Sequence, residues 1–406
     1  MLRQWLFPFH GYQAVDRRSS AIECLHGDDR DEAGRRWRAL ERDINNTCLT
    51  SSWAWIDTWL RYFGDVPHHF AFGVEDGRTI GGALVTTPRY AEGWLRTPSV
   101  FLGTAGQPRG ESIGIQANRL LVSSNHLAGF ASGLMRTLAA SRYWRQIILE
   151  RFVPAHGYAL AGAGREVGIE FRTTEATSPK FDFERLQGDQ DILSSLSLKA
   201  RHVKGLRRKL RLLDTPAGSL SVEWAESLKQ STDMLHELME LHTVRMASLG
   251  QCGSFSTERL RQYHRDLLER LWPSNSIVVF RVRQGESTLS CFLALVEDNR
   301  IIGFKSGTSY STQFTNLSPG VLAHLLFMEE SRKRGFAEYG FGRPHAPYKD
   351  DLSNAEDMVV GAYALRGLRG SVAQLHHDVL ERDRWPVVKR TALFVRDAAR
   401  KGTLRT

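Results

Sequence analysis

Three features of this sequence predict an α/β (α+β) protein built of two similar domains in tandem, each a mixed, mainly antiparallel sheet flanked by helices. The chain has 406 residues, about twice what one ordinary core holds. Its two halves share one order of elements: helices, a hairpin, a strand, a helix, a strand. Turn pairs at Asp76-Gly77, Gln284-Gly285 and Asp298-Asn299 separate runs rich in β-branched and aromatic residues, as hairpins require. No obvious sequence repeat accompanies the shared order.

The elements follow along the chain. Residues 1–45 read as an irregular, charged N-terminal extension, although Trp37, Leu40 and Ile44 fall on one helical face. The first domain is expected over 46–175. TSSWAWIDTWLRYFG opens it with Thr/Ser capping candidates and with Trp55, Trp59, Tyr62 and Phe63 near helical spacing. HHFAFGVEDGRTIGGALVTTPRY is a hairpin, SVFLG a strand, His126 to Ser141 a helix, and RQIILERF and GIEFRTT strands. The polar, turn-rich stretch 176–191 reads as a linker. The second domain spans 192–370. It begins with the basic helix of LKARHVKGLRRKLRLL, in which Val203, Leu206, Leu210 and Leu213 form an apolar stripe. Two more helices follow, then three strands in SIVVFRVRQGESTLSCFLALVEDNRIIGFKSG. SPGVLAHLLFMEESRKRG is a helix with Pro in its first turn and Gly at its end. AEYGFG and MVVGAYALRG are strands, and 371–406 reads as a basic helical tail.

Composition narrows the class. A hydrophobic fraction of 42% and a charged fraction of 24% fit a soluble globular protein, expected in the cytoplasm. No segment approaches a membrane-spanning length, and the start lacks a long apolar core with a cleavage site. The four cysteines, Cys24, Cys48, Cys252 and Cys291, form no CxxC pair, and His376-His377 have no third ligand nearby. No metal is expected. The net charge of +9 suits phosphates, nucleic acid or an anionic membrane without choosing among them.

Chemistry concentrates in the second half. Ser318-Pro319-Gly320-Val321 opens a helix, where free N–H groups and the dipole favour an anion, and Gly320 lets a phosphate approach the backbone. The plainer reading is an ordinary helix start. LHTVRMASLG places His242 and Arg245 three residues apart on one side of a helix, which serves either a cleft or a surface pair. GFGRPHAPYKDD gathers Arg343, His345, Tyr348 and Lys349 between glycines and prolines.

Read in order, LRRKLRLL, LHTVRMASLGQCGSF, FRVRQGESTLSCFLAL and LSPGVLAHLLFMEESRKRGFAEYGFGRPHAPYK resemble the GNAT-superfamily acyltransferases associated with cellulose and exopolysaccharide biosynthesis (BioF2-like), relatives of the Fem aminoacyl transferases. The resemblance covers about 190–370, and the first half matches more loosely. It implies twin GNAT-like domains and acetyl-CoA, or another acyl-CoA, as the donor. It implies that Lys305, Ser306, Ser318, Pro319, Gly320 and Val321 hold the donor, with a backbone N–H at the end of IIGFKSG polarising the thioester. Arg245, His242 and Arg343 would face the acceptor, a sugar, glycan precursor or other small amine or hydroxyl. Tyr348 and Lys349 match the family's Tyr-Lys pair. The family's acidic residue is replaced by Gly340, and its Gly-Glu by Pro344-His345. His345 is the natural substitute base; the alternative is a loop histidine with no proton to move. Tyr348 would protonate the leaving thiolate and Lys349 stabilise negative charge; the alternatives are packing and a solvated turn.

Two rival functions stand beside this. A Fem-like transferase would use aminoacyl-tRNA on the basic helix, but the long helical-hairpin insertion of that group is missing, and nucleic acid is not the favoured partner. A non-catalytic scaffold with a degenerate fold would explain Gly340 and His345. The basic tail would allow peripheral membrane contact in either case. The sequence leaves oligomeric state open.

Overall fold

The structure is a computed structural model that describes residues 20–44, 48–88, 97–108, 110–141, 143–188, 190–214, 219–310, 318–343 and 346–366. The first half contains β1 (Ala21–His26), α1 (Arg30–Asp43), α2 (Trp53–Phe63), β2 (His68–Glu75), β3 (Arg78–Thr86), β4 (Ser99–Leu102), β5 (Leu121–Val122), α3 (Leu127–Ala140), β6 (Gln146–Phe152), α4 (Pro154–Glu166) and β7 (Phe171–Asp182). The second contains α5 (Ile192–Ser195), α6 (Ala200–Leu213), β8 (Leu220–Trp224), α7 (Leu228–Ser248), α8 (Glu258–Leu271), β9 (Ile277–Gln284), β10 (Ser287–Glu297), β11 (Arg300–Thr308), α9 (Pro319–Lys333), β12 (Glu338–Gly340), α10 (Pro347–Asp351) and β13 (Ala355–Leu365).

The described strands form one sheet in the order β1-β2-β3-β4-β6-β13-β7-β12-β11-β10-β9-β8, with β5 on β3. Each half runs antiparallel up to a parallel pair, β4 with β6 and β11 with β12. The halves then exchange their last strands. β13 pairs with β6, β7 pairs with β12, and β7 and β13 pair with each other over ten positions from Phe171↔Ala364 to Lys180↔Ala355. The turns are those the residues favour: Asp76 and Gly77 have φ of 47° and 74°, and Asp298 and Asn299 have φ of 45° and 59°.

One core joins the halves. Trp37, Trp55 and Trp59 from α1 and α2 are at most 1% exposed and share a cluster with Leu235, Tyr263 and Leu267 from α7 and α8. Trp55 meets Tyr263 edge-on at 6.3 Å and Phe304 of β11 at 5.5 Å. Each such ring contributes about 2–3 kcal/mol by burial. Asp57 of α2 accepts from Arg30 of α1 at 2.8 Å and ion-pairs with Arg270 of α8. On the opposite face, α3 and α4 cover the first half, while α6 and α9 cover the second.

The halves depart from expectation in two places. Residues 20–44 are not an extension: β1 is paired with β2 through Ala21↔Val74 to His26↔His69, and α1 buries Trp37 and Leu40. The strand is short and its only ladder lies some 45 residues ahead, so local pattern does not show it. The stretch 176–191 is not a free linker either. It begins inside β7 and continues through a short turn of helix at Phe183–Arg185 into α5. Residues 172–177 are exposed, so β7 lacks the apolar alternation of a half-buried strand. Its backbone ladder with β13 holds it instead. The tail, 371–406, lies outside the described residues. Among the described residues no helix is long and apolar enough to cross a membrane.

Candidate active site

The parallel pairing of β11 with β12 covers Arg300–Ile302 against Glu338–Gly340 and then stops. Two glycines cross where the strands part. A Cβ on Gly303 would sit 3.2 Å from the Phe341 carbonyl oxygen, and one on Gly342, whose φ is 63°, would overlap the Gly303 carbonyl oxygen. On its other edge β11 shifts register against β10: Leu293 faces Lys305 but Ala294 faces Gly303, so Phe304 is bulged. A bulge beside an opened sheet edge aims backbone groups away from the ladder.

The first turn of α9 lies beside this opening. Ser318 adopts a left-handed conformation (φ 56°), and its carbonyl accepts from the N–H groups of Val321 at 3.0 Å and Leu322 at 3.3 Å. Pro319 has no N–H, and the Gly320 N–H lies in the first turn of α9, where a helix supplies no acceptor. A Cβ on Gly320 would lie 3.4 Å from the Tyr310 hydroxyl and 3.8 Å from the Thr308 hydroxyl, which puts the helix start against the end of β11. Lys209 of α6 donates to the Ser318 hydroxyl at 3.0 Å, and the Arg245 guanidinium stacks over the Tyr310 ring at 4.1 Å. Two cations and a positive helix end therefore converge here.

Tyr348 of α10 reaches the same place from below. Its hydroxyl is 3.3 Å from His324 Nε2, and His324 Nδ1 is 2.9 Å from the Tyr339 hydroxyl. Burial, with Tyr310 adding to it, pushes the Tyr348 phenol up to about 12. Burial, with the Lys349 ammonium adding to it, pushes His324 down to about 3. The phenol stays protonated and the imidazole neutral across the physiological range.

The other expected residues divide. Lys349 is 4% exposed, and its ammonium donates to the carbonyls of Phe341 at 3.0 Å and Gly342 at 2.9 Å. Those bonds pin the loop that ends the split, which is a positioning role. His242 has both ring nitrogens engaged: Nδ1 donates to the Ser306 carbonyl at 2.8 Å, and Nε2 accepts from the Ser254 N–H at 3.1 Å. It ties α7 to β11 and to the segment after α7, and burial lowers its pKa. Lys305 donates to the Ile113 carbonyl at 2.8 Å and the Ser254 hydroxyl at 3.2 Å. Burial, with Arg343 adding to it, pushes its amine down to about 7. Arg343 donates its own N–H to Gln116 Oε1 at 2.9 Å. His345 lies outside the described residues. Sequence reasoning missed His324, Tyr339 and Tyr310, and saw Lys209 only as one of the cations of the basic helix. The one available signal was a lone histidine in the apolar run VLAHLLFM.

The matching split of the first half is filled by its own chain. Asn118 donates its side-chain amide to the Leu102 carbonyl at 2.9 Å and its N–H to the Arg151 carbonyl at 2.8 Å, and its carbonyl accepts from Val153 at 3.0 Å. A Cβ on Gly103 would meet that side chain at 2.7 Å. The gap between β4 and β6 has no room for a ligand. Among the described residues no group of His, Cys, Asp and Glu could hold a metal ion.

Residues 200–350 match a family described as an acetyltransferase (GNAT) domain. No curated protein matches the chain. A crystal structure of FemX aligns over 87% of this chain and 99% of its own, with 12% identity and a TM-score of 0.51. The C-terminal domain (DUF2156) of a protein described as a lysylphosphatidylglycerol synthetase, from Agrobacterium fabrum, aligns over 86% and 97%, with 12% identity and a TM-score of 0.50. At these identities the likeness is one of fold: a mixed, mostly antiparallel sheet flanked by helices.

Proposed function

We propose that the chain is an acyl-CoA-dependent acyltransferase that moves an acyl group, acetyl in the simplest case, to an amine or hydroxyl of a small acceptor such as a sugar or glycan precursor. One observation carries this reading: the split between β11 and β12 opens against the free first turn of α9, with Tyr348 at the junction. The pyrophosphate of the donor would lie at Gly320, near Lys209 and Arg245. The thioester would enter the split, its carbonyl meeting backbone N–H groups of β11 beyond Ile302. The acceptor nitrogen attacks the carbonyl carbon and its proton passes to a base, for which His345 is the candidate. The C–S bond breaks, and Tyr348 gives a proton to the sulfur. No covalent enzyme intermediate is needed. Burial pushes Cys48 up to about 12 and raises the Cys291 thiol further, the opposite of an activated nucleophile.

Calorimetric titration with acetyl-CoA tests the donor. Binding at one site, lost in Gly320→Glu, supports the reading; no binding, or binding unchanged in that variant, overturns it. Thiol release from acetyl-CoA with a panel of amino sugars, compared with His345→Ala, separates an enzyme from a scaffold with this fold. An aminoacyl-tRNA donor is the second reading, favoured by the exposed Arg201, Lys204 and Arg208 of α6, none of which makes an ion pair among the described residues. A mobility shift with bulk tRNA decides it. An exopolysaccharide or cellulose pathway would supply the acceptor if the resemblance in sequence extends to function.

A further inference from the structure

Three cations converge on Ile113, Ile115 and Gln116 of the first half. Lys305, three positions past Ile302, the last β11 residue paired with β12, donates to the Ile113 carbonyl at 2.8 Å. Arg343, directly after Gly342, reaches the Ile115 carbonyl at 3.4 Å and binds Gln116 through its N–H. Arg151, held in a left-handed conformation (φ 51°), donates to the Gln116 carbonyl at 2.9 Å. Arg343 acts electrostatically on both of the others.

None of the three makes an ion pair among the described residues. The other titratable groups that face Lys305 are His242 of α7 and His264 of α8, whose pKa values are both lowered. Glu150 lies beside Arg151 in the chain and acts on it in the opposite direction. Gathering cations with so little compensation is costly where water is partly excluded. Among the described residues each guanidinium has N–H groups that no carbonyl uses, and Lys305 makes two bonds with its three N–H groups.

The cluster has a defined side. Lys305 reaches Ser254 and Ile113, and Ile113 belongs to the core shared with α7 and α8. His324, Tyr339 and Tyr348 belong to the core under α6 and α9, on the other face. Tyr339 and Tyr348 on one side and the cation cluster on the other therefore flank one split. In direct transfer the nucleophile adds to a face of the planar thioester carbonyl, so the acceptor must be held within about 3–3.5 Å of that carbon.

We propose that Lys305, Arg343 and Arg151 bind an anionic group, a carboxylate or a phosphate, carried by the acceptor. That the anion belongs to an acceptor rests on the acyltransferase reading; the site itself does not.

The test is calorimetry on the full chain with inorganic phosphate and with succinate, each with and without excess coenzyme A. One of them is expected to bind once per chain whether or not coenzyme A is present, and which one distinguishes a phosphate from a carboxylate. Affinity is expected to fall at least about tenfold in Arg343→Met and in Lys305→Met, to recover partly in Arg343→Lys, and to stay unchanged in Arg35→Met, on the exposed face of α1. Binding above neutral pH is expected to take up protons in the wild type and not in Lys305→Met, since an anion raises a lysine whose pKa is about 7. Arg343 is exposed, so its variants fold and remain decisive if Lys305→Met does not. Absence of binding by both anions overturns the proposal. So does binding that survives Arg343→Met, or that coenzyme A displaces. If acetyl-CoA fails to bind while an anion binds and Arg343→Met abolishes it, the donor reading falls and the anion site stands.

Discussion

His324 Nε2 lies 3.3 Å from the Tyr348 hydroxyl, and its other nitrogen lies 2.9 Å from the Tyr339 hydroxyl. A neutral imidazole has one donor and one acceptor nitrogen, so it fixes the direction of both hydroxyls at once. If Nε2 donates to Tyr348, the phenol proton is left free to point into the split. His324 is then a positioning residue and Tyr348 the group that meets the thiolate. Tyr348→Phe is expected to lower kcat about 100-fold with little change in the KM for acetyl-CoA. His324→Phe should lower kcat less and shift its pH dependence. Steady-state thiol release measures both. A Tyr348→Phe enzyme with unchanged kcat would remove Tyr348 from the chemistry.

The same histidine makes the fold acid-sensitive. Its folded pKa, about 3, lies below the ordinary value of about 6.5. The unfolded chain therefore binds more protons once pH falls below about 6.5. Stability from keeping His324 neutral is complete above that value and is lost as pH falls toward about 3. His69 and His156, pushed down to about 4 by burial, act in the same direction. His324 alone would contribute up to about 5 kcal/mol over the whole window. Urea unfolding at about pH 7 and about pH 4.5 should show a smaller stability loss in His324→Phe than in the wild type.

Gly342 and Gly340 are two residues apart and should behave oppositely. A Cβ on Gly342 needs a left-handed backbone and overlaps the Gly303 carbonyl. Gly342→Ala is expected to cost more than about 2 kcal/mol and to weaken donor binding, because the split must shift. A Cβ on Gly340 meets nothing closer than the Ile301 carbonyl at 3.5 Å. Gly340→Ala should change stability by less than about 1 kcal/mol. Thermal unfolding of the two variants checks the contrast.

The exchanged strands are tied by charge. Lys180 of β7 bonds Glu338 of β12 at 2.7 Å and Asp357 of β13 at 2.9 Å, and Arg300 of β11 pairs with both acids. Glu338→Gln should destabilise the whole chain by about 1–2 kcal/mol, with both halves unfolding together. Two separate transitions in calorimetry would show that the exchange does not couple the halves.

Local signals were enough for most elements. The Asp76-Gly77 and Asp298-Asn299 turns, the apolar stripe of α6 at Val203, Leu206 and Leu210, and the Pro319–Gly335 frame of α9 follow from residues within one turn of each other. β1 and β7 were hidden because their partners are distant and their faces are not cleanly apolar. Lys349, expected at the chemistry, is instead consumed by two backbone carbonyls. His242, expected to face an acceptor, spends both nitrogens on Ser306 and Ser254. A side chain's type says what it can donate or accept; only its neighbours say whether that capacity is already used.

The sequence alone determined the two-part architecture, the hairpins and the helix that opens at Ser318. Periodicity, turn conformation and capping are properties of short stretches of chain. Only the tertiary structure decided that the halves exchange β7 and β13, that Asn118 fills one split while Gly303 and Gly342 cross at the other, and that Lys305, Arg151 and Arg343 meet. Those outcomes depend on groups up to 228 residues apart, where backbone pairing and burial outweigh local preference.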